Sequence, residues 1–252
     1  MAGKTWRALA GLVCATALSG TAASDEVHWG YEGPGSPEHW GSLNPAFAAC
    51  ASGTEQSPVD LTDATVSDLS SLAFDYAPSP ITIVNNGHTI QVDYAPGSGL
   101  VLDGDRYELL QFHLHHGSEH TLDGVRFPLE LHLVHRNASG ALAVVGILFE
   151  AGGANEALTP LWSQLPAEAG PATSVAGEVD AAALLPARRT TWRYPGSLTT
   201  PPCTEGVSWI VMTEPVALSA EQIEAFGAIF PNNSRPIQPL NERAVRRDGE
   251  TR

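Results

Sequence analysis

The chain has 252 residues, 43% of them hydrophobic, enough for one large domain with a substantial buried core, which excludes a disordered or collagen-like polypeptide. Its formal charge is −15, from 13 Lys and Arg against 28 Asp and Glu, with no run of five basic residues. Neither the long-range field nor a local patch therefore favours nucleic acid or anionic lipid. The one lysine, Lys4, lies in a segment read below as removed, which excludes Schiff-base chemistry and a phosphate-loop lysine.

Lys4 and Arg7, the apolar Ala8 to Leu18 and the small residues Thr21-Ala22-Ala23 form an export-signal pattern, predicting removal of residues 1–23 and a mature domain over 24–252. The apolar stretch would reach only ~16 Å across a roughly 30 Å hydrocarbon layer, too short for an anchor. Val13 stands before Cys14, where a lipoprotein needs a small residue. No later segment has 18 uninterrupted apolar residues, so no membrane attachment is expected after signal removal, and the protein is expected in the periplasm or secreted. Removal leaves Cys50 and Cys203, an even count that an oxidising compartment would join as a disulfide.

From Ser24 to about Thr65 the chain is rich in Gly, Pro and Trp but lacks periodicity, predicting an irregular arm laid over a core. From Ile81 to Phe149, β-branched or alternating runs are separated by Asn85-Asn86-Gly87, Pro96-Gly97-Ser98-Gly99, Asp103-Gly104 and Asp123-Gly124, a series of hairpins. Helices are predicted over Asn155 to Leu165, Asp180 to Leu185 and Ser219 to Phe230, the last opened by the capping-box pair Ser219 and Gln222 and stopped by Pro231. Val207 to Met212 reads as a buried strand, and no linker divides the chain into two domains.

Six of the nine histidines fall between Gln111 and His135. In Gln111-Phe112-His113-Leu114-His115, strand alternation puts Gln111, His113 and His115 on one face and Phe112 and Leu114 on the other. In Glu130-Leu131-His132-Leu133-Val134, Glu130, His132 and Val134 share a face by the same rule. The short separation lets the two strands pair antiparallel, so that His113, His115 and His132 converge. Three neutral imidazoles with an open fourth position form a catalytic zinc arrangement. Gln111 and Glu130, each two residues before a ligand, are placed to hold the far ring nitrogens and fix the tautomers. His116 and His135 have the opposite parity and read as structural or exposed.

With these strands in hand, the sequence resembles the α-class carbonic anhydrases from His28-Trp29-Gly30-Tyr31 to about Asn241. The resemblance rests on Gln56-Ser57-Pro58-Val59-Asp60, Asn86-Gly87-His88, the two histidine strands, Ser118-Glu119-His120-Thr121, and Ser197-Leu198-Thr199-Thr200-Pro201-Pro202-Cys203-Thr204-Glu205-Gly206. It implies Zn²⁺ on His113, His115 and His132, and reversible hydration of carbon dioxide to bicarbonate and a proton by zinc-bound hydroxide. Thr199 would accept a hydrogen bond from the hydroxide and donate one to Glu119. Val134, Val144, Leu198, Val207 and Trp209, with Thr200, match the substrate pocket. His88 matches the proton shuttle, and Tyr31, Asn86 and Gln91 the side that orders the connecting waters. Gln91 stands where many members carry Asn, and His116 and Arg136 replace common aromatic residues. The resemblance also implies the Cys50–Cys203 disulfide, a cis Pro201–Pro202 bond and a side esterase activity, and it allows a homodimer. With the elements above it implies an α+β, β-dominated fold: a single domain with a large central, mostly antiparallel twisted β-sheet and short peripheral helices.

Three other readings share some of these residues. A cupin-type dioxygenase opens with H-x-H-x3-E, matched by His113, His115 and Glu119, but Pro128-Leu129-Glu130 lacks the glycine of the later cupin block. A non-catalytic protein of the same fold would have lost ligands, Thr199 or Glu119, all of which are present. A zinc-storage protein would exchange its metal readily and accelerate nothing.

Overall fold

The computed structural model describes residues 27–249; the signal segment expected over residues 1–23 lies outside them. Strand-forming runs dominate, and 13 strands join one sheet. Across its middle lie Thr191–Ser197, Glu205–Met212, Leu142–Ala151, Leu129–Asn137, Asp105–His116, Ile90–Asp93 and Ser79–Asn85, in that spatial order. Antiparallel pairing dominates, as expected, but the sheet is mixed. Leu142–Ala151 runs parallel to both Glu205–Met212 and Val216–Leu218, and Thr65–Ser67 runs parallel to Arg246–Asp248. The parallel contact at Leu142–Ala151 follows from the long return of residues 152–204, since a parallel pair needs a crossover rather than a hairpin.

The hairpin signals are turns. Asp103-Gly104 and Asp123-Gly124 both hold positive φ, at 53° and 88° and at 53° and 72°, the left-handed pair a two-residue hairpin turn requires. Between the two histidine strands the chain makes a small excursion, Thr121–Leu122 paired with Val125–Arg126, before returning to pair His113 directly with His132. Strand alternation then divides the sheet. Phe112, Leu114, Leu131 and Leu133 are all 0% exposed in the main core on one face, each worth about 1.5–3 kcal/mol of burial. His113, His115 and His132 of the same strands project from the other face, toward a smaller apolar cluster around Val144, Val207 and Trp209.

Helices are short and marginal. The segment predicted over Asn155 to Leu165 is a 3-10 turn at Glu156–Leu158 and a single α turn at Thr159–Trp162; the segment predicted over Asp180 to Leu185 is Ala181–Leu184, with Asp180 accepting from the Ala182 N–H. Ala220–Ile229 carries the expected capping box of Ser219 and Gln222. Among the described residues, six strands escaped the sequence reading: the short Thr65–Ser67, Ala73–Asp75, Val216–Leu218 and Arg246–Asp248, and the longer Thr173–Val179 at one edge of the sheet and Thr191–Ser197 nearer its interior. The last contains Pro195 and Gly196, residue types that weaken a strand pattern. Gly196 is needed there, because a Cβ would lie 2.2 Å from Ser57 Oγ. The N-terminal arm is irregular apart from short helical turns. It is fastened by the Cys50–Cys203 disulfide and by Trp40, whose indole N–H donates to the carbonyls of Gly30 and Gly35. The Pro201–Pro202 bond is cis, as the resemblance implies, and Ser57–Pro58 is cis as well. No helix among the described residues is long and apolar enough to cross a membrane.

His135, on the core side of its strand and 0% exposed, has the structural role its parity predicts. Its Nδ1–H points at the Ala143 carbonyl at 3.3 Å, so Nε2 accepts from the Tyr76 hydroxyl at 2.8 Å. Burial lowers its pKa from 6.5 to about 4. Between those values the unfolded chain binds a proton that the folded chain refuses. Stability therefore falls as pH drops from 6.5 to 4, by about 3 kcal/mol if the whole shift acts. Urea midpoints at pH 7 and pH 4.5 should separate by less in His135→Gln than in the wild type; equal separations would contradict this account.

Candidate metal centre

Two adjacent strands build the centre. Pairing of His113 with His132, and of His115 with Glu130, puts all four side chains on one face at one level of the sheet. One ring nitrogen from each of His113, His115 and His132 lies within 4.8 Å of the others. His115 and His132 are each 1% exposed, and His113 is partly exposed, which leaves the approach to the cluster on the His113 side.

The far nitrogens are all occupied. His113 Nδ1 donates to Gln111 Oε1 at 2.9 Å and His132 Nε2 to Glu130 Oε1 at 2.9 Å, the two supports predicted from spacing. His115 Nδ1 donates to the carbonyl of Asn233 at 2.7 Å. These bonds fix the tautomers, so His113 and His115 present Nε2 inward and His132 presents Nδ1. Burial, reinforced by the neighbouring imidazoles, holds the pKa of His113 well below its ordinary value, and burial lowers that of His115 too. Neutral rings with inward lone pairs suit a cation. His115 Nε2 is buried without any hydrogen-bond partner, the orphan expected of a ligand atom whose partner is a metal, so the residues fit zinc.

Glu130 is 0% exposed. Besides His132 it accepts from His120, from Nδ1 at 2.7 Å and from the backbone N–H at 2.8 Å. Burial would push its carboxyl up, but the electrostatic attraction of the His120 and His132 rings and the hydrogen bonds they donate outweigh it and hold the pKa well below the carboxylate range. His120 continues through Nε2 to the Tyr194 hydroxyl at 2.6 Å, and Tyr194 reaches Ser57 Oγ at 3.0 Å. Glu130 already bonds both histidines, so the cluster of His120, Glu130 and His132 is an internally satisfied network rather than a second metal site.

Glu119 is also 0% exposed, its Oε1 taken by the Arg235 N–H at 2.8 Å. Its Oε2 has no hydrogen-bond partner and lies 3.9 Å from His132 Nδ1. The bond from Thr199 that the resemblance implies is thus not made in this conformation, although Thr199 is buried at 5% exposure. Glu119 is absent from the group whose ring nitrogens converge, so the cupin-like H-x-H-x3-E string is not a ligand set. The predicted apolar residues do come together: Val144 pairs with Val134 on one side and with Trp209 on the other, and Leu142 pairs with Val207. Leu198 packs on the same cluster, and Trp209 meets the His132 ring edge to face at 4.8 Å. Thr200 is partly exposed at the start of the turn whose carbonyl accepts from the Cys203 N–H.

His88 is half-buried on the turn after Ser79–Asn85, its ring stacked on Trp29 at 3.7 Å and 6°. Asn86 Oδ1 accepts from the N–H groups of both His88 and Thr89 at 3.0 Å, so its acceptor builds the turn. Gln91 pairs with His113 across the sheet, but its amide donates to Asp93 at 2.7 Å. Burial, with the Glu119 charge adding, holds the Tyr31 phenol well above its ordinary value, so it stays a neutral donor. Asn233, Arg235, His120 and Tyr194 were not identified as site residues from sequence. Only His120 had a signal, its place beside Glu119 in a matched motif.

A family model of the eukaryotic-type carbonic anhydrases matches residues 35–249. A carbonic anhydrase of Pectobacterium carotovorum is 46% identical over 97% of this chain and 99% of its own length, and one from a Nostoc species is 46% identical over 90% and 89%. The α-carbonic anhydrase of Thermovibrio ammonificans, solved in complex with the inhibitor sulfanilamide, superposes with a TM-score of 0.86 at 44% identity, covering 88% of this chain and 99% of that one. Dioscorin, solved with ascorbate, superposes at 0.82 with 35% identity over 89% of this chain and 100% of its own. With this much of the chain matched by family, relatives and fold, it belongs to the α-class carbonic anhydrases, which are lyases.

Proposed function

We propose that the chain holds one Zn²⁺ on His113 Nε2, His115 Nε2 and His132 Nδ1 and uses it to interconvert carbon dioxide and bicarbonate. The observation that carries this reading is the partnerless, buried His115 Nε2, a desolvated acceptor worth about 1–3 kcal/mol of instability unless something binds it. Zinc bound there supplies a Lewis acid that brings the pKa of a water to about 7 and so provides the nucleophile near neutral pH.

The protein's own groups do the rest. Carbon dioxide is apolar and uncharged, so it rests against Val134, Val144, Val207, Leu198 and Trp209, with Thr200 completing the pocket. In the working enzyme the Thr199 hydroxyl turns to donate to Oε2 of Glu119, which the structure leaves without a partner. A carboxylate can only accept, so the Thr199 oxygen is left to accept a hydrogen bond from the nucleophile, which turns a lone pair of the nucleophile toward carbon. Tyr31, Asn86 and Gln91 line the path along which water carries the released proton to His88. Burial first, and the neighbouring charge of His28 second, lower the pKa of His88, which keeps it an acceptor at neutral pH. Attack on activated esters follows as a side reaction from the same nucleophile. The segment at residues 1–23 directs the chain to the periplasm or the medium and is removed.

Stopped-flow hydration of carbon dioxide on the purified mature protein should be fast, should be abolished by chelation and should return with zinc. Activity insensitive to zinc removal would overturn the reading. His88→Ala should lower kcat in weak buffer by about 100-fold, the lower end of what positioned proton transfer supplies, with recovery in imidazole. Unchanged turnover in weak buffer would remove His88 from the mechanism.

A further inference from the structure

Pairing between Ile90–Asp93 and Asp105–His116 stops at Gln91 and His113. The ligand strand continues through Leu114, His115 and His116, and beside it lies the turn that carries His88. Two side chains replace the missing ladder. Thr89 Oγ1 donates to the Leu114 carbonyl at 2.5 Å and accepts from the Leu114 N–H at 3.3 Å. Asn233 Nδ2 donates to the carbonyls of Leu114 and His88, each at 3.0 Å, and Asn233 Oδ1 accepts from the His116 N–H at 2.6 Å. The backbone carbonyl of the same residue takes the His115 Nδ1–H at 2.7 Å. Asn233 is 0% exposed; both amide hydrogens and both oxygens are in use, so its side chain serves as a peptide group inserted between strand and turn.

We infer that Asn233 is a positioning residue that sets the separation between the metal ligand His115 and the proton acceptor His88 by bonding both of their segments through one residue. This rests on the roles given to His88 and His115 above. The turn is held on its far side by Asn85, whose Oδ1 accepts from the Gly87 N–H and whose Nδ2 donates to the Pro166 carbonyl; those bonds fix its shape but do not reach the ligand strand. Reach toward the ligands comes from Thr89 and Asn233, and of these two only Asn233 bonds a peptide group of His88, its carbonyl. A shift of about 1 Å between a proton donor and its acceptor path can cost up to about 100-fold, so even a small relaxation of this residue matters for proton transfer.

Asn233→Ala keeps the backbone carbonyl that serves His115 and removes the three side-chain bonds. In the zinc-free protein, the ring protons of His88 should carry a ring-current shift from Trp29, because the rings stack at 3.7 Å; Asn233→Ala should diminish it. In the zinc-loaded protein, kcat in weak buffer should fall about tenfold, more than kcat/KM falls, with recovery in imidazole. An unmoved His88 resonance overturns the inference, as does an equal, unrescued fall in kcat and kcat/KM. If Asn233→Ala does not fold, Thr89→Val, which cuts the tie from the turn side, should move the same resonance, and an unmoved one there is equally fatal. Wild-type protein lacking zinc-dependent hydration would instead sink the functional reading, while the zinc-free resonance still decides the coupling.

Discussion

His115→Ala is expected to leave the centre without zinc at ordinary concentrations and to lower kcat/KM for carbon dioxide by about 10³-fold or more. Losing a group that merely orients a ligand costs about 10- to 100-fold in metal affinity or activity, and His115 is itself a ligand in the proposed centre, so its loss would leave two nitrogens where a catalytic zinc takes three. Stability offers a second readout. In the zinc-free chain, truncating His115 sacrifices packing but also removes the buried, unpartnered Nε2, a relief of about 1–3 kcal/mol. The two effects oppose, and the zinc-free variant should unfold within a few degrees of the zinc-free wild type. Added zinc should raise the Tm of the wild type, because a ligand that binds only the folded state stabilises it by mass action, and should leave the variant unmoved. An equal zinc-induced rise in both proteins would contradict the role given to His115.

Glu130→Gln should weaken zinc binding by about 10- to 100-fold and destabilise the fold by about 2–4 kcal/mol, as for other broken buried charged networks. Glu130 accepts three hydrogen bonds, one from His132 and two from His120. A glutamine that keeps its oxygen toward the two rings must point its NH2 at the His120 N–H, donor against donor. His132 then loses a charged acceptor on the nitrogen that fixes its tautomer. Gly146 gives an independent handle on the same group. It pairs with His132 across the sheet, and a Cβ there would lie 2.9 Å from Glu130 Oε1 and 3.4 Å from Val211 Cγ2. Gly146→Ala should therefore push the carboxylate off its partners and weaken zinc binding in the same direction by a smaller factor. Chelator competition measures the affinity and urea unfolding the stability. A Gly146→Ala protein that loses stability but binds zinc as tightly as wild type would place the damage at Val211 and not at the carboxylate.

Much of this centre is legible in the sequence because strand alternation is a strong rule. Two short segments, one with His113 and His115 and the other with His132 at alternating positions among Phe112, Leu114, Leu131 and Leu133, leave one geometry in which the apolar side chains enter the core and the rings meet. Gln111 and Glu130 follow from the same period. What escapes is whatever acts through the backbone or from far along the chain. Asn233 serves His115 with a carbonyl that any residue possesses, and Pro231-Asn232-Asn233-Ser234 reads only as a turn after a helix. Arg235 reaches Glu119 with its N–H, across 116 positions, while its guanidinium is spent on Gln56, Ser57 and Cys50, between 178 and 185 positions away. Tyr194 lies in a strand that Pro195 and Gly196 disguise as a loop. The mixed character of the sheet was hidden for a related reason: hairpin signals announce antiparallel neighbours, whereas the parallel contact of Leu142–Ala151 with Glu205–Met212 has no local mark.

X-ray absorption at the zinc edge of the mature protein tests the centre most directly. The account predicts one zinc per chain in a four-coordinate site, with three imidazole nitrogens at about 2.0–2.1 Å and one light-atom ligand from solvent. Loss of one imidazole from the pattern in His115→Ala should accompany any metal that remains. A spectrum showing sulfur, four protein ligands, or fewer than three imidazoles would contradict it.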